Sequence, residues 1–327
     1  MKPIKYIRGN HKKAEEIMNK EYTIIRPQSH EEWLQHRGGG LGSSEVGTIL
    51  GLNPYETPYQ LWRRKKGLDP AKEETFAMKA GHFLEDGVAR FFEDLTGYSV
   101  DYSTSGDWIA YDNEKPFMRV SPDRLYRNKN GELCIVECKT TQKQIDPNDI
   151  PLYWFAQLQY QMGVMRIEEG AIAWLVSGRE FGFKEVKFNK EFYNYLVENI
   201  EKFWFDYIQG DQEPLPINTL DIIAKFPNSK ENAVCADISL ATTFPLLREL
   251  KEEKKRIEEQ ISELEERVKF YMGESDTMID AYGNVLATWK TAKSTLKFDE
   301  KKFKAENPEI WSSYAKEVQG SRRFLLK

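Results

Sequence analysis

Cysteine is scarce in this 327-residue chain, limited to Cys134, Cys138 and Cys235. A small secreted protein stapled by disulfides needs a denser, even set, so a reduced intracellular protein is the better fit. Histidine is almost as sparse, with four residues and none of the His or Cys spacings that a zinc cluster requires. No apolar run approaches the roughly 18 residues that cross a bilayer, so a membrane span is not expected. Lys2, Lys5 and Arg8 open the chain with no apolar segment behind them, so a secretory leader is not expected either. Neither sign of charge dominates: 47 Lys and Arg against 52 Asp and Glu leave a net charge of −5. That balance argues against nonspecific coating of nucleic acid, yet it allows a local basic channel under an acidic exterior. Internal repeats and low-complexity tracts are missing as well.

What is present suffices for one large core, or a core with a smaller satellite, since 40% of the residues are hydrophobic. Residues 1–29 read as a polar, lysine-rich N-terminal arm that could carry one short helix. Ser29 before Glu31 and Glu32 predicts a helix cap, and Gly38-Gly39-Gly40 predicts the stop. Leu41-Gly-Ser-Ser44 opens a short helix expected to be capped by serine, broken at Gly51-Leu-Asn-Pro54. Tyr59, Leu61 and Trp62 begin another helix that runs into Arg63-Arg-Lys-Lys66. Between residues 77 and 95 apolar residues recur every three or four positions, the mark of an amphipathic helix. Glu85 falls beside that stripe.

Strands are predicted at 117–126 and 132–138, with Asn128-Lys-Asn-Gly131 as the turn of a hairpin. A helix over 152–165, strands at 171–176 and 184–188 and an aromatic-rich helix over 190–208 complete a mixed α/β core over residues 30–210. Residues 210–216 read as a linker. In the extension over 217–327, Leu247, Leu250, Ile257, Ile261, Leu264 and Val268 form a helical stripe interrupted by Lys254. Such a stripe suits packing against the body or a short coiled pair. Residues 279–289, with Gly283-Asn284 at the centre, predict a second hairpin.

The chemically informative residues lie around the first hairpin. Glu137 and Lys139 are two apart on one strand, so their side chains share a face, and the hairpin brings that face beside Asp123. Two carboxylates and an ammonium at one point are costly unless something is bound there. Glu137 also follows the apolar run Leu133-Cys-Ile-Val136, where a charge is unexpected. Spacing alone leaves a second reading open: ordinary solvent-face residues on an edge strand, with Asp123 in a turn.

Ser121-Pro-Asp123, thirteen intervening residues and Glu137-Cys-Lys139 resemble the core signature of the PD-(D/E)xK nuclease superfamily. Arg37 with Leu41-Gly-Ser-Ser44, Gly51-Leu-Asn-Pro-Tyr55, Gly81-His-Phe-Leu-Glu85 and Gln157-Leu-Gln-Tyr-Gln-Met162 resemble, in order, the phage lambda exonuclease / YqaJ-type viral recombinase family. The resemblance covers roughly residues 30 to 210. It implies a restriction-endonuclease-like core, a mixed central sheet flanked by helices, to which this chain adds a helical and hairpin extension. It further implies Asp123, Glu137 and Glu85 as ligands of one or two Mg2+ ions, with Mn2+ as a substitute. Lys139 would orient or deprotonate the attacking water, and Gln157 would support that water or the scissile phosphate. Arg37 with Ser43 or Ser44, or both, would hold a 5'-phosphate, a task for which a guanidinium fork and hydroxyls are suited.

The implied activity is 5' to 3' degradation of one strand of linear double-stranded DNA, leaving 3' overhangs for recombination. The implied partners are double-stranded DNA, further copies of the chain in a trimer, and a single-strand annealing protein. The implied setting is the bacterial cytoplasm, with a phage or prophage gene. An endonuclease, a RecB-like exonuclease of different polarity and a catalytically idle DNA-binding or assembly protein are the alternatives. Arg63-Arg-Lys-Lys66 beside Trp62 reads equally as a grip on duplex backbone or as a solvated helix end. Trp154-Phe155 and Phe203-Trp-Phe205 read as core or subunit contacts, and Cys134 and Cys138 as packing residues.

Overall fold

The computed structural model describes residues 5–6, 15–18, 21–70, 75–104, 108–316, 320 and 322–326. They form two compact units, residues 1–225 and 226–327.

In chain order the first unit begins with β1 (Lys5–Tyr6), β2 (Glu15–Met18), β3 (Tyr22–Arg26), α1 (His30–Gly38), β4 (Leu41–Gly42), α2 (Ser43–Ile49), α3 (Pro58–Lys65) and α4 (Phe76–Thr96). There follow β5 (Ser99–Asp101), β6 (Ile109–Asp112), β7 (Met118–Val120), β8 (Arg124–Arg127), β9 (Leu133–Thr141), α5 (Leu152–Met165), β10 (Glu169–Val176), β11 (Glu180–Lys187) and α6 (Lys190–Lys202). A π-helical turn, Phe203–Gln209, extends α6, and α7 (Thr219–Lys225) closes the unit.

Two sheets result. One has the order β1-β2-β3-β6-β7-β4 and the other β11-β10-β9-β8-β5. The second is mixed: β9 and β10 are parallel, and the remaining pairs are antiparallel. A parallel pair needs a crossover, and α5 supplies it. Alternation along β9 sends Ile135 into one apolar cluster with Leu158 and Met162 of α5. Cys134, Val136 and Cys138 point the other way, toward Val88, Ala89 and Phe92 of α4. The expected mixed α/β core, a mixed central sheet with helices on both faces, is present. The β8–β9 hairpin is also as expected, with Gly131 taking a left-handed φ of 79° in its turn.

Several local expectations are corrected. The N-terminal arm contributes strands: β3 pairs with β6 inside the first sheet, and its burial alternates at strand period, with Thr23 and Ile25 buried between half-buried neighbours. No helix lies before α1 among the described residues, and much of the arm falls outside them. The cap of α2 is Gly42, not a serine; the Glu45 carboxylate reaches back to accept its N–H at 2.9 Å. The first unit runs past the expected linker to residue 225, because α7 is tied down by Asp221. That buried carboxylate accepts from Thr57 Oγ1 at 3.0 Å, Gln60 Nε2 at 2.9 Å and the Ile217 N–H at 3.1 Å.

The second unit holds the 30-residue helix α8 (Thr243–Met272), the hairpin β12 (Thr277–Ile279) with β13 (Val285–Thr288), and the short helices α9 (Glu300–Glu306) and α10 (Pro308–Tyr314). Among the described residues no helix is long and apolar enough to cross a membrane.

Candidate active site

The site forms where β8, β9, α4 and α5 meet. The last register pair of the hairpin is Arg124 with Val136, which leaves Asp123 just beyond it, level with Glu137. Asp123 Oδ2 accepts the Cys138 N–H at 2.7 Å, so the aspartate is anchored between the two other motif residues. Glu137 is buried at 2% exposure, and each of its oxygens is engaged. Oε1 accepts from Lys139 Nζ at 2.7 Å and from Gln157 Nε2, while Oε2 accepts from Gln161 Nε2 at 2.8 Å. Lys139 also donates to Gln157 Oε1 at 3.0 Å. A cavity of about 170 Å³ opens at this end of the sheet, lined by Gly81, His82, Glu85, Val88, Cys138, Lys139 and Thr140.

Helix α5 is apolar nearly all round and buried, so every polar group on it needs a partner. Gln159 bonds to the Lys187 carbonyl and the Asn189 N–H, a structural role. Gln157 and Gln161, four residues apart, share the face toward Glu137. The latter also reaches Ser43 Oγ at 3.2 Å, and its own Oε1 is buried without a hydrogen-bond partner. Close contact of α2 with α5 makes this possible: a Cβ on Gly47 would stand 2.6 Å from Tyr153 Cβ.

The electrostatics are those of crowded like charges. Burial and the neighbouring Glu137 and Glu85 push the Asp123 carboxyl well above the ordinary range. The Glu85 carboxyl is raised by burial and by Glu137, against the opposing influence of His82. For Lys139, burial disfavours the charge, but Glu137 and Asp123 outweigh it and hold the ammonium above its usual value. Carboxylate oxygens without thiolates are the donors a hard divalent cation takes, and such a cation would relieve this repulsion. Among the described residues, however, no three His, Cys, Asp or Glu side chains stand close enough together to hold a metal ion as they are. The donor set suits such an ion in chemical kind, with Glu85 brought to the same cavity but not into a ready-made cluster.

At the segment expected to hold a 5'-phosphate the two serines part company. Arg37 donates to Ser44 Oγ at 2.9 Å, and Ser44 is exposed. Ser43 is buried and faces Gln161. The basic cluster on α3 turns inward. Arg63 pairs with Asp69 at 2.7 Å, Arg64 with Glu56 and Glu45, Lys65 with Glu45 at 2.8 Å, and Lys66 bonds the Gly210 carbonyl. Those pairings tie α3 to its own surroundings. Trp154 and Phe203 are in the core, Trp204 packs on it, and Cys134 and Cys138 are buried free thiols.

A family model for the YqaJ-like viral recombinase domain matches residues 32–168. Over 311 residues the chain is 32% identical to the uncharacterized protein YqaJ of Bacillus subtilis (strain 168), spanning 91% of this chain and 94% of that relative. The chain belongs to the YqaJ-like viral recombinase family. Two solved structures are similar over about half of the chain. One is an alkaline exonuclease from Laribacter hongkongensis, with 16% identity, 54% of this chain and 92% of that one covered, and a TM-score of 0.41. The other is a phage-related exonuclease from Haemophilus somnus 129PT, with 11% identity, 52% and 94% covered, and a TM-score of 0.39. The YqaJ-like match takes in Arg37, both serines, Glu85, Asp123, Glu137, Lys139, Gln157 and Gln161. Sequence reasoning passed over Gln161, although its spacing of four from Gln157 on an apolar helix was the available signal. It also passed over Glu45, whose partners Arg64 and Lys65 are too distant in sequence to suggest the contact.

Proposed function

We propose that this YqaJ-like protein is a Mg2+-dependent exonuclease that degrades one strand of linear double-stranded DNA from the 5' end, leaving a 3' overhang for recombination. The observation that carries the reading is the convergence of Asp123, Glu137 and Lys139, with the Cys138 N–H holding Asp123 in place. Asp123 and Glu137 would hold the metal, with Glu85 at the cavity as a further carboxylate. When bound, Mg2+ polarises a phosphoryl oxygen, lowers the pKa of its water and stabilises the departing 3'-oxygen.

The chain's own residues account for the rest. Lys139 is a donor in this arrangement: two of its N–H groups go to Glu137 and Gln157, and the third is left for the attacking water or a phosphoryl oxygen. Gln157 keeps the ammonium and Glu137 in register, bonding both. Arg37 and the exposed Ser44 would receive the 5'-phosphate, the fork pairing with two oxygens and the hydroxyl with a third.

The test is digestion of blunt duplex DNA, labelled on one strand at a time, with 5'-phosphate or 5'-hydroxyl ends and with or without Mg2+. Mg2+-dependent release beginning at a phosphorylated 5' end is expected. Internal cuts or loss from the 3' end would overturn the polarity, and folded protein inert with every divalent ion would overturn the nuclease itself.

A further inference from the structure

Helix α8 is continuous from Thr243 to Met272, about 45 Å at 1.5 Å per residue, and its apolar stripe is exposed. Leu250, Ile257 and Ile261 are about half exposed, and Leu264 is 59% exposed. The spacing is a strict heptad. Leu247, Lys254, Ile261 and Val268 occupy the first core position of successive heptads; Leu250, Ile257, Leu264 and Tyr271 occupy the second. We propose that α8 binds the α8 of a second copy of this chain as an antiparallel two-stranded coiled coil centred between Glu258 and Gln260.

Charge decides the occupant and its direction. In a parallel, in-register pair, the two Lys254 ammonium groups would meet in the core, and Glu253 would face Glu258 on each flank. A parallel trimer would bring three lysines together. Running the partner antiparallel removes both conflicts. Lys254 then packs against the partner's Leu264, and the remaining layers pair Leu247 with Tyr271, Leu250 with Val268 and Ile257 with Ile261. On one flank Glu253 meets the partner's Arg267, and on the other Lys251 meets the partner's Glu265. Each of these attractive pairs occurs twice by symmetry. Gln260 and Glu258 each meet their own copy; Glu258 is the one like-charge contact, and Lys254 Nζ already lies 3.5 Å from Glu258 Oε1 in the same helix. Sliding the partner by one heptad breaks this match: either direction loses core layers, and one of them also sets Glu258 against Glu265. In the single chain Lys251 lies over the Phe324 ring and Glu265 pairs with Lys269, both exposed contacts that are readily exchanged.

The pairing adds a two-fold contact to whatever assembly the nuclease unit makes. Sedimentation velocity of the full-length protein tests it. Ile261→Lys should halve the mass of the wild-type particle, with the helical circular dichroism retained because the position is on the surface. Glu253→Arg should weaken association roughly 10-fold by opposing Arg267. Adding Arg267→Glu to it should restore wild-type association. Lys254→Leu should tighten the pair. An Ile261→Lys particle of wild-type mass would overturn the interface. Tighter association of Glu253→Arg would overturn the antiparallel direction, since in a parallel pair that change creates an attraction to Glu258.

Discussion

The carboxylate of Asp123 accepts a 2.7 Å hydrogen bond from the backbone N–H of Cys138, the residue that separates Glu137 from Lys139. One strand therefore supplies the anchor through its backbone and two functional groups through its side chains. Thirteen residues of hairpin lie between the halves of the motif, and this bond closes them onto one point. It also holds Asp123 in a buried place beside Glu137 and Glu85, and burial first, then those two carboxylates, raise its carboxyl.

Asp123→Asn should abolish cleavage, by about 10^3-fold or more, while stabilising the metal-free protein. The sign follows from the raised carboxyl: its charged form disfavours the fold at neutral pH, and the amide removes that charge while keeping an acceptor for the Cys138 N–H. About 1 kcal/mol would raise Tm by roughly 2–4 °C in a unit of this size. Thermal melts without divalent ions, beside cleavage assays with Mg2+, check both halves, and a lower metal-free Tm would contradict the repulsion.

Gln161→Leu should lower kcat roughly 10-fold or more with little change in KM. It removes the donor to Glu137 Oε2 and the link to Ser43 without touching the cavity lining. A lost buried hydrogen bond to a charged group is worth about 1.5–3 kcal/mol. Single-turnover cleavage with DNA in excess over KM separates this from a binding defect.

Arg37→Ala and Ser44→Ala should each erase most of the preference for 5'-phosphate over 5'-hydroxyl ends, by roughly 10-fold. Ser43→Ala should leave the preference intact and act on rate, since Ser43 is buried against Gln161. Competition between the two kinds of end in one reaction reads the ratio directly.

Glu45→Gln should destabilise the first unit by about 3–5 kcal/mol at neutral pH, because it leaves Lys65 and Arg64 near a neutral group in a buried place. Burial alone would push the Glu45 carboxyl up, but Lys65 and Arg64 outweigh it and hold it below the usual range. A carboxyl lowered on folding stabilises the protein above its unfolded pKa, and that contribution is lost as pH falls through the folded value. The gap between wild type and variant in urea unfolding should therefore narrow below about pH 4.

Much of the fold was legible because strand and helix periods were clear where one face is buried. The hairpin carrying Asp123 and Glu137, the amphipathic α4, the buried α5 and the long α8 all follow from such patterns. The strand at Tyr22–Arg26 was missed because its partner, β6, lies some ninety residues away. The inward turn of the α3 cations was missed for the same reason: Glu45, Glu56 and Asp69 are ordinary acidic residues until the chain folds.

By itself the sequence determined the kinds of element, the motif order and the family, since these depend on local periodicity and on residue types at fixed spacing. It also set the heptad of α8 and the charges that flank it. Only the tertiary structure decided that Ser44 faces outward while Ser43 faces Gln161, that Gln161 bridges Ser43 to Glu137, and that Asp221 fastens α7 to the first unit. Those choices rest on contacts between segments tens of residues apart, where one close approach, such as that at Gly47, selects which of two neighbouring side chains is buried.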